Sequence, residues 1–135
     1  MKKYFLDTNI VIDLLLQRQI EESGIFKLIV DIDQRDIYVS ALTVYIVFYV
    51  LKLKANTELF VKAKNFFSEI KIVPLTEEII NKALDIKFRD FEDTLQYFSA
   101  VKDCDYILTR NRKDFEYIKK ISPSNIMVID KYKRD

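Results

Sequence analysis

Apolar residues recur along the chain in two rhythms, compact runs of three or four and stripes spaced three or four apart, and the two rhythms alternate. Lys3 to Leu6 reads as a short buried strand ended by the polar Asp7-Thr8-Asn9. Ile10, Val11, Leu14 and Leu15 then share one helical face, with Thr8 or Asn9 placed to cap its start. After Gly24, the residues Ile25, Phe26, Leu28, Ile29 and Ile32 give a second helical stripe, closed by the polar stretch from Asp33 to Asp36. Ile37-Tyr38-Val39 is the next strand. The run from Ala41 to Leu53 is rich in β-formers, but its length and the cap offered by Ser40 favour a buried helix. Thr57 to Glu69 is periodic and helical, with Leu59, Phe60, Ala63, Phe66 and Phe67 inward, and Lys71-Ile72-Val73 before Pro74 is a third strand. Thr76-Glu77-Glu78 opens a helix that continues through Ile86, its acids placed where the macrodipole favours them. A further helix is expected from about Glu92 to Lys102. Tyr106-Ile107-Leu108 and Ile126-Met127-Val128-Ile129 read as the fourth and fifth strands, with a polar Thr109-x-Asn111-x-x-Asp114 loop after the fourth. Strands alternating with helices predict an α/β fold, a parallel sheet covered by helices on both faces. No linker, repeat or low-complexity segment interrupts the pattern, so residues 1–135 are expected to form one domain.

Composition removes several chemistries. Gly24 is the only glycine, and a phosphate-cradling loop or dinucleotide fingerprint needs two or three at fixed spacing. Without histidine there is no imidazole base and no histidine metal ligand, so catalysis must rest on carboxylates, hydroxyls, lysine or a bound hard cation. The lone Cys104 and the want of a signal peptide point to a reducing, cytoplasmic compartment. The longest apolar run, Val44 to Leu51, is far short of the ~20 residues that span a bilayer, so no membrane role is expected. The net charge of +1 names no partner. Basic residues nevertheless concentrate late, at Arg110, Arg112, Lys113, Lys119, Lys120, Lys131, Lys133 and Arg134, as either a solvated face or a polyanion-binding surface.

In an open parallel sheet the ligand site lies at the carboxyl ends of the strands, where the strand order reverses. Asp7 directly follows the first strand and qualifies. Thr109, Asn111 and Asp114 follow the fourth strand and qualify too. Asp103 and Asp105 precede that strand, whose residues at ~3.3 Å each carry them roughly 13 Å to the other edge. Asp90 and Asp93, three apart near a helix start, can project in nearly one direction, either as dipole compensation or as part of a site. Carboxylates sharing a cleft repel one another unless a cation neutralises them, and oxygen-only ligands select a hard ion, Mg²⁺ or Mn²⁺. With no histidine base, the economical chemistry is metal-activated water attacking a phosphodiester. Arg110, Arg112 and Lys113, read as a loop beside such a centre, are then candidates to hold the backbone of such a polyanion.

Four segments, Phe5-Leu6-Asp7-Thr8-Asn9, Ser40-Ala41-Leu42-Thr43, Asp90-Phe91-Glu92-Asp93 and Asp105 through Phe115, resemble in order and spacing the PIN domain family, and within it the VapC-like toxins of bacterial toxin–antitoxin modules. The resemblance implies a three-layer α/β/α sandwich around a central, mainly parallel five-stranded sheet. It implies an endoribonuclease acting on single-stranded RNA, often a homodimer, with a small antitoxin as partner and a divalent metal held by acids. Asp7 and Asp93 match the family's acids, while Thr8, Asn9 and Thr109 match residues that shape the site. Two positions depart from the pattern. Ile46 stands where the family usually carries a helix glutamate, and Asn111 stands where an acid often follows the fourth strand, leaving Asp114 or Asp90 to fill in. A catalytically weak or inactive PIN-fold module that binds RNA or protein is therefore the alternative. A phosphoacceptor aspartate of the haloacid-dehalogenase kind would need Asp-x-Asp after the first strand, and Asn9 occupies the second place.

Overall fold

The computed structural model describes residues 1–17 and 24–130, so Lys131, Lys133 and Arg134 lie outside the described residues. Its strands are β1 (Tyr4–Leu6), β2 (Ile37–Ser40), β3 (Lys71–Val73), β4 (Tyr106–Leu108) and β5 (Met127–Ile129). Its helices are α1 (Thr8–Leu16), α2 (Gly24–Asp31), α3 (Ala41–Val50), α4 (Glu58–Glu69), α5 (Glu77–Leu84), α6 (Phe91–Asp103) and α7 (Arg112–Ile121), with a 3-10 turn at Gln34–Asp36. The strands form one sheet in the order β3-β2-β1-β4-β5, and every neighbouring pair is parallel.

Period-two geometry sends successive strand residues to opposite faces, and each face has its own core. Phe5, Ile107 and Val128 pack with residues of α5, α6 and α7, including Ile79, Leu95, Tyr97, Phe115 and Ile118. Their neighbours Leu6 and Leu108, with Ile37 and Val39, pack with residues of α1 to α4, including Ile10, Val11, Ile25, Val47, Ala63 and Phe67. The result is the α/β/α sandwich that the alternating rhythm predicts. Each fully buried large apolar side chain contributes roughly 1.5–3 kcal/mol, so both layers are strongly held.

Caps begin the helices close to where the sequence places them. Ser40 Oγ accepts the Leu42 N–H at 3.0 Å, Thr57 Oγ1 that of Phe60 at 3.2 Å and Thr76 Oγ1 that of Ile79 at 3.2 Å. At α1 the capping residue is Asp7 rather than Thr8 or Asn9, its Oδ1 accepting the Thr8 N–H at 2.8 Å. Two helices end earlier than periodicity suggests. α3 stops at Val50, and the chain turns through a left-handed Lys52 (φ 50°). α5 stops at Leu84. The larger difference follows β4, where the expected polar loop is helix α7. Its charged residues hide a short apolar stripe in which Phe115 and Ile118, three apart, are buried against the core. Arg112 and Lys113 accordingly occupy the first turn of a helix rather than a loop.

Candidate active site

The sheet order places β2 and β4 on opposite sides of β1, so the topological switch point opens at the carboxyl ends of β1 and β4. Asp7 leaves β1 there, and its backbone N–H donates to the Leu108 carbonyl at 3.0 Å, extending the β1–β4 pairing by one residue. Its side chain is 3% exposed. Oδ1 accepts the Thr8 N–H, and Oδ2 accepts the Thr109 hydroxyl at 2.8 Å, so the loops after both strands hold one carboxylate. Thr109 also accepts the Asn111 N–H at 2.9 Å, which fixes the start of α7. Burial raises the Asp7 carboxyl above its ordinary range, although the Thr109 and Thr8 hydrogen bonds and the nearby Arg110 charge oppose that shift.

The other acids come from the start of α6. Asp90 caps that helix by accepting the Asp93 N–H at 3.0 Å, and Asp93 is buried on its first turn. Asp90, Glu92 and Asp93 each place a carboxylate oxygen within 4.8 Å of the others. Burial, reinforced by the charges of Asp7, Asp90, Asp114 and Glu92, pushes the Asp93 carboxyl up to about 7. Burial likewise raises Glu92, with Asp7 and Asp90 adding to the effect. Helix-dipole compensation calls for exposed acids in the first turn, not for a buried one that also faces four neighbouring carboxylates. A small cleft lined by Arg89, Asp90, Asp93, Asp114 and Tyr117 opens beside the cluster. The donor set is oxygen only, dense in negative charge and compact, which is the chemistry of a hard divalent cation.

The remaining sequence candidates fall into three positions. Thr8 lies beneath the site, where its hydroxyl is 2.9 Å from that of Thr43 and accepts from Gln96. Asn9 is half-buried on α1, and Asn111 stands at the start of α7 without a side-chain capping bond. Two of the three cations are engaged within the protein. Arg110 Nε lies 3.0 Å from the buried carboxylate of Asp13, and Arg112 pairs with Asp130 at 3.5 Å and Glu116 at 3.8 Å. Lys113 is exposed. Ile46 lies one turn beyond Thr43 on α3 and is half-buried. Asp105 sits at the opposite sheet edge, where its carboxylate accepts the Lys3 N–H at 2.8 Å.

Four residues of this region were passed over in the sequence. Glu92 stood in plain view between Asp90 and Asp93. Asp13 and Gln96 each interrupt an apolar stretch, and a polar side chain on a buried helical face requires a partner. Arg89, in the connection between α5 and α6, borders the cleft with its guanidinium 3.8 Å from the centre of the Tyr117 ring on α7, a contact that one-dimensional spacing does not encode.

An all-parallel sheet with acids gathered at its switch point, Asp7 and Asp93 among them buried, defines an α/β protein built around an acidic centre. More specifically, a model of the PIN domain matches residues 3–113, and the chain belongs to the PIN domain family. It is similar to Ribonuclease VapC1 of Aquifex aeolicus (strain VF5), 26% identical over 121 residues that cover 84% of each chain. The fold is shared with the structure of VapBC2 from Rickettsia felis bound to a DNA fragment from their promoter, at a TM-score of 0.69 and 20% identity over 93% of this chain and 96% of that one. It is shared equally with DNA-bound VapBC from Salmonella typhimurium, at a TM-score of 0.72 and 17% identity over 96% and 98% of the respective chains.

Proposed function

We propose that this chain is one PIN-like domain that hydrolyses single-stranded RNA internally, with Mg²⁺ or Mn²⁺ as cofactor, and that it is the toxin of a toxin–antitoxin module. The observation that carries the reading is the carboxylate cluster at the switch point, where Asp90, Glu92 and Asp93 lie within 4.8 Å of one another and burial, reinforced by the neighbouring acids, pushes Asp93 up to about 7. Similarity to a ribonuclease and to VapBC assemblies supports the substrate class and a small antitoxin as partner.

Asp7, Asp90 and Asp93 would hold the ion, with Glu92 close enough to add a fourth carboxylate. A bound divalent ion supplies activation of water and stabilisation of the leaving oxygen in phosphodiester hydrolysis. Asp7 is oriented by Thr8 and Thr109, so its carboxylate enters the site already fixed. Asp93, raised by burial and by its acidic neighbours to about 7, would be held in its ionised form as a ligand of that ion. Arg89, at the cleft, and Lys113, exposed on the first turn of α7, are the cations placed to meet a phosphate backbone. Arg110, anchored on Asp13, holds positive charge near Asp7.

Self-association is part of the same reading. α3 is apolar on nearly every side, yet Tyr45 (66%), Tyr49 (72%) and Val50 (53%) are exposed on it, a surface suited to a second copy of the chain. Among the described residues no helix is long and apolar enough to cross a membrane, and a cytoplasmic location fits the activity proposed.

One observation favours the weaker alternative, a PIN-fold module that binds RNA or protein without cutting efficiently. Ile46 puts no charge on the α3 side and Asn111 none at the start of α7, so the acids come from Asp7 and α6, with Asp114 of α7 at the edge. The discriminating experiment incubates the purified protein with defined single-stranded RNAs and Mg²⁺ or Mn²⁺, with and without EDTA. Internal cleavage that EDTA stops supports the nuclease; retention of RNA without cleavage supports the binding module.

A further inference from the structure

Beneath the carboxylates lies a buried polar junction that neither catalysis nor the core explains. Gln96 is fully buried on α6, one turn after Asp93. Its Nε2 donates to Thr8 Oγ1 at 2.8 Å and to Thr43 Oγ1 at 2.9 Å, and those two hydroxyls are themselves 2.9 Å apart. Both amide hydrogens are thus committed, and the start of α1, the first turn of α3 and the second turn of α6 are tied at one point. The Oε1 of the same side chain is buried with no hydrogen-bond partner. A buried orphan acceptor is unfavourable, and an apolar side chain of similar volume would fill the same space without it. As a packing residue, Gln96 is therefore a poor choice. The choice is intelligible if the two bonds it donates are worth more than the orphan it leaves.

We infer that Gln96 is a positioning residue for the metal centre: through the hydroxyls of Thr8 and Thr43 it holds the α6 carboxylates against Asp7, in the arrangement a divalent ion needs. This rests on the metal-dependent reading above. Asp7 and Asp93 carry like charge and push apart when no cation lies between them. Thr8 adjoins Asp7 in sequence and donates its backbone N–H to that carboxylate, while Gln96 stands three residues from Asp93 on one helix. The Gln96–Thr8 bond therefore joins the two repelling groups through short, rigid pieces of backbone. Thr43 braces the pair from a third element, which keeps α6 from sliding along α1. Partners of this kind, outside the ligand set itself, typically set metal affinity within 10–100-fold.

The test is Mn²⁺ binding, measured by calorimetry alongside thermal stability, on the full chain and on Gln96→Leu, Thr43→Val and Thr43→Ser. The inference predicts that Gln96→Leu unfolds at the same temperature as the parent or higher, because the orphan acceptor is gone, while its Mn²⁺ affinity falls about 10-fold or more. Thr43→Val should weaken Mn²⁺ in the same direction, and Thr43→Ser, which keeps the hydroxyl, should restore it. A merely structural side chain would behave in the reverse way, lowering the melting temperature and leaving affinity untouched; that result overturns the inference. Should Gln96→Leu fail to fold, the Thr43 pair decides: equal affinity in the Val and Ser variants refutes the positioning role. A parent chain that takes up no Mn²⁺ refutes the metal-centre reading and the inference with it, whereas a parent that binds while every variant binds equally well refutes the inference alone.

Discussion

Burial and four neighbouring acids raise the Asp93 carboxyl to about 7, and that shift governs how single substitutions should behave. Its unfolded value is near 3.8 and its folded value about 7, so between those limits the native chain keeps a proton that the unfolded chain has lost. Stability of the metal-free protein must then fall as pH rises from about 4 to about 7, and the fall is complete above that. Denaturant titrations of the parent in EDTA should show the decline, and Asp93→Asn should flatten it while raising stability at pH 8 by on the order of 1–3 kcal/mol. Asp7→Asn and Asp93→Asn should each abolish metal-dependent cleavage without loss of fold, as read by a gel assay beside circular dichroism. Ile46→Glu runs the other way. The position lies one turn beyond Thr43 and is only half-buried, so a carboxylate placed there should raise Mn²⁺ affinity in calorimetry; a variant that unfolds and gains no metal would assign Ile46 to packing alone. Much of this was readable in the sequence. Asp7 and Asp93 follow from strand ends and helix starts, which one dimension records. Gln96 and Asp13 do not, because what matters about each is a hydrogen bond or ion pair to a residue far along the chain.

Among the elements, α7 departs furthest from expectation. Its polar residues outnumber its apolar ones, and the two that bind it to the core, Phe115 and Ile118, are too few to stand out against Arg112, Lys113, Glu116, Lys119 and Lys120. Tertiary burial of one narrow stripe decided the conformation where local pattern did not. The strands, by contrast, were legible because a sheet buried on both faces leaves continuous apolar runs, as in Phe5-Leu6 and Ile107-Leu108. Rewriting the loop as a helix also redistributes the expected RNA contacts. Arg112 is paired with Asp130 and Glu116, and Arg110 with Asp13, which leaves Lys113 and Arg89 as the cations to test. Lys113→Ala with Arg89→Ala should weaken RNA binding and reduce its salt dependence by about one to two phosphate contacts. Arg112→Ala alone should change stability by less than about 1 kcal/mol, as an exposed pair would, and leave the salt slope nearly unaltered. A full loss of slope in Arg112→Ala would return that residue to the binding surface.

For the molecule as a whole, sheet order sets the site: with β1 central and β4 beside it, Asp7 and Asp114 come near enough to the α6 acids to raise the Asp93 carboxyl. No local pattern specifies that order, although the alternation of strands and helices restricts the choices to a few. The exposed tyrosines of α3 give the assembly a test of its own. Tyr45 and Tyr49 stack with ring centres 6.1 Å apart on a helix that is otherwise apolar, and replacing both with Lys should shift a dimer to a monomer in sedimentation velocity, while the isolated chain remains folded. A parent already monomeric at high concentration would remove self-association from the account. The central claim is that the crowded carboxylates at the switch point exist to hold a cation that cuts RNA. Its most direct measurement is the cleavage of a defined single-stranded RNA in Mn²⁺ by the parent and by Asp7→Asn, each with and without EDTA. Internal cuts by the parent that EDTA stops, and none by Asp7→Asn, are the expected result; cleavage that persists in EDTA, or that Asp7→Asn performs at the parent's rate, would contradict it.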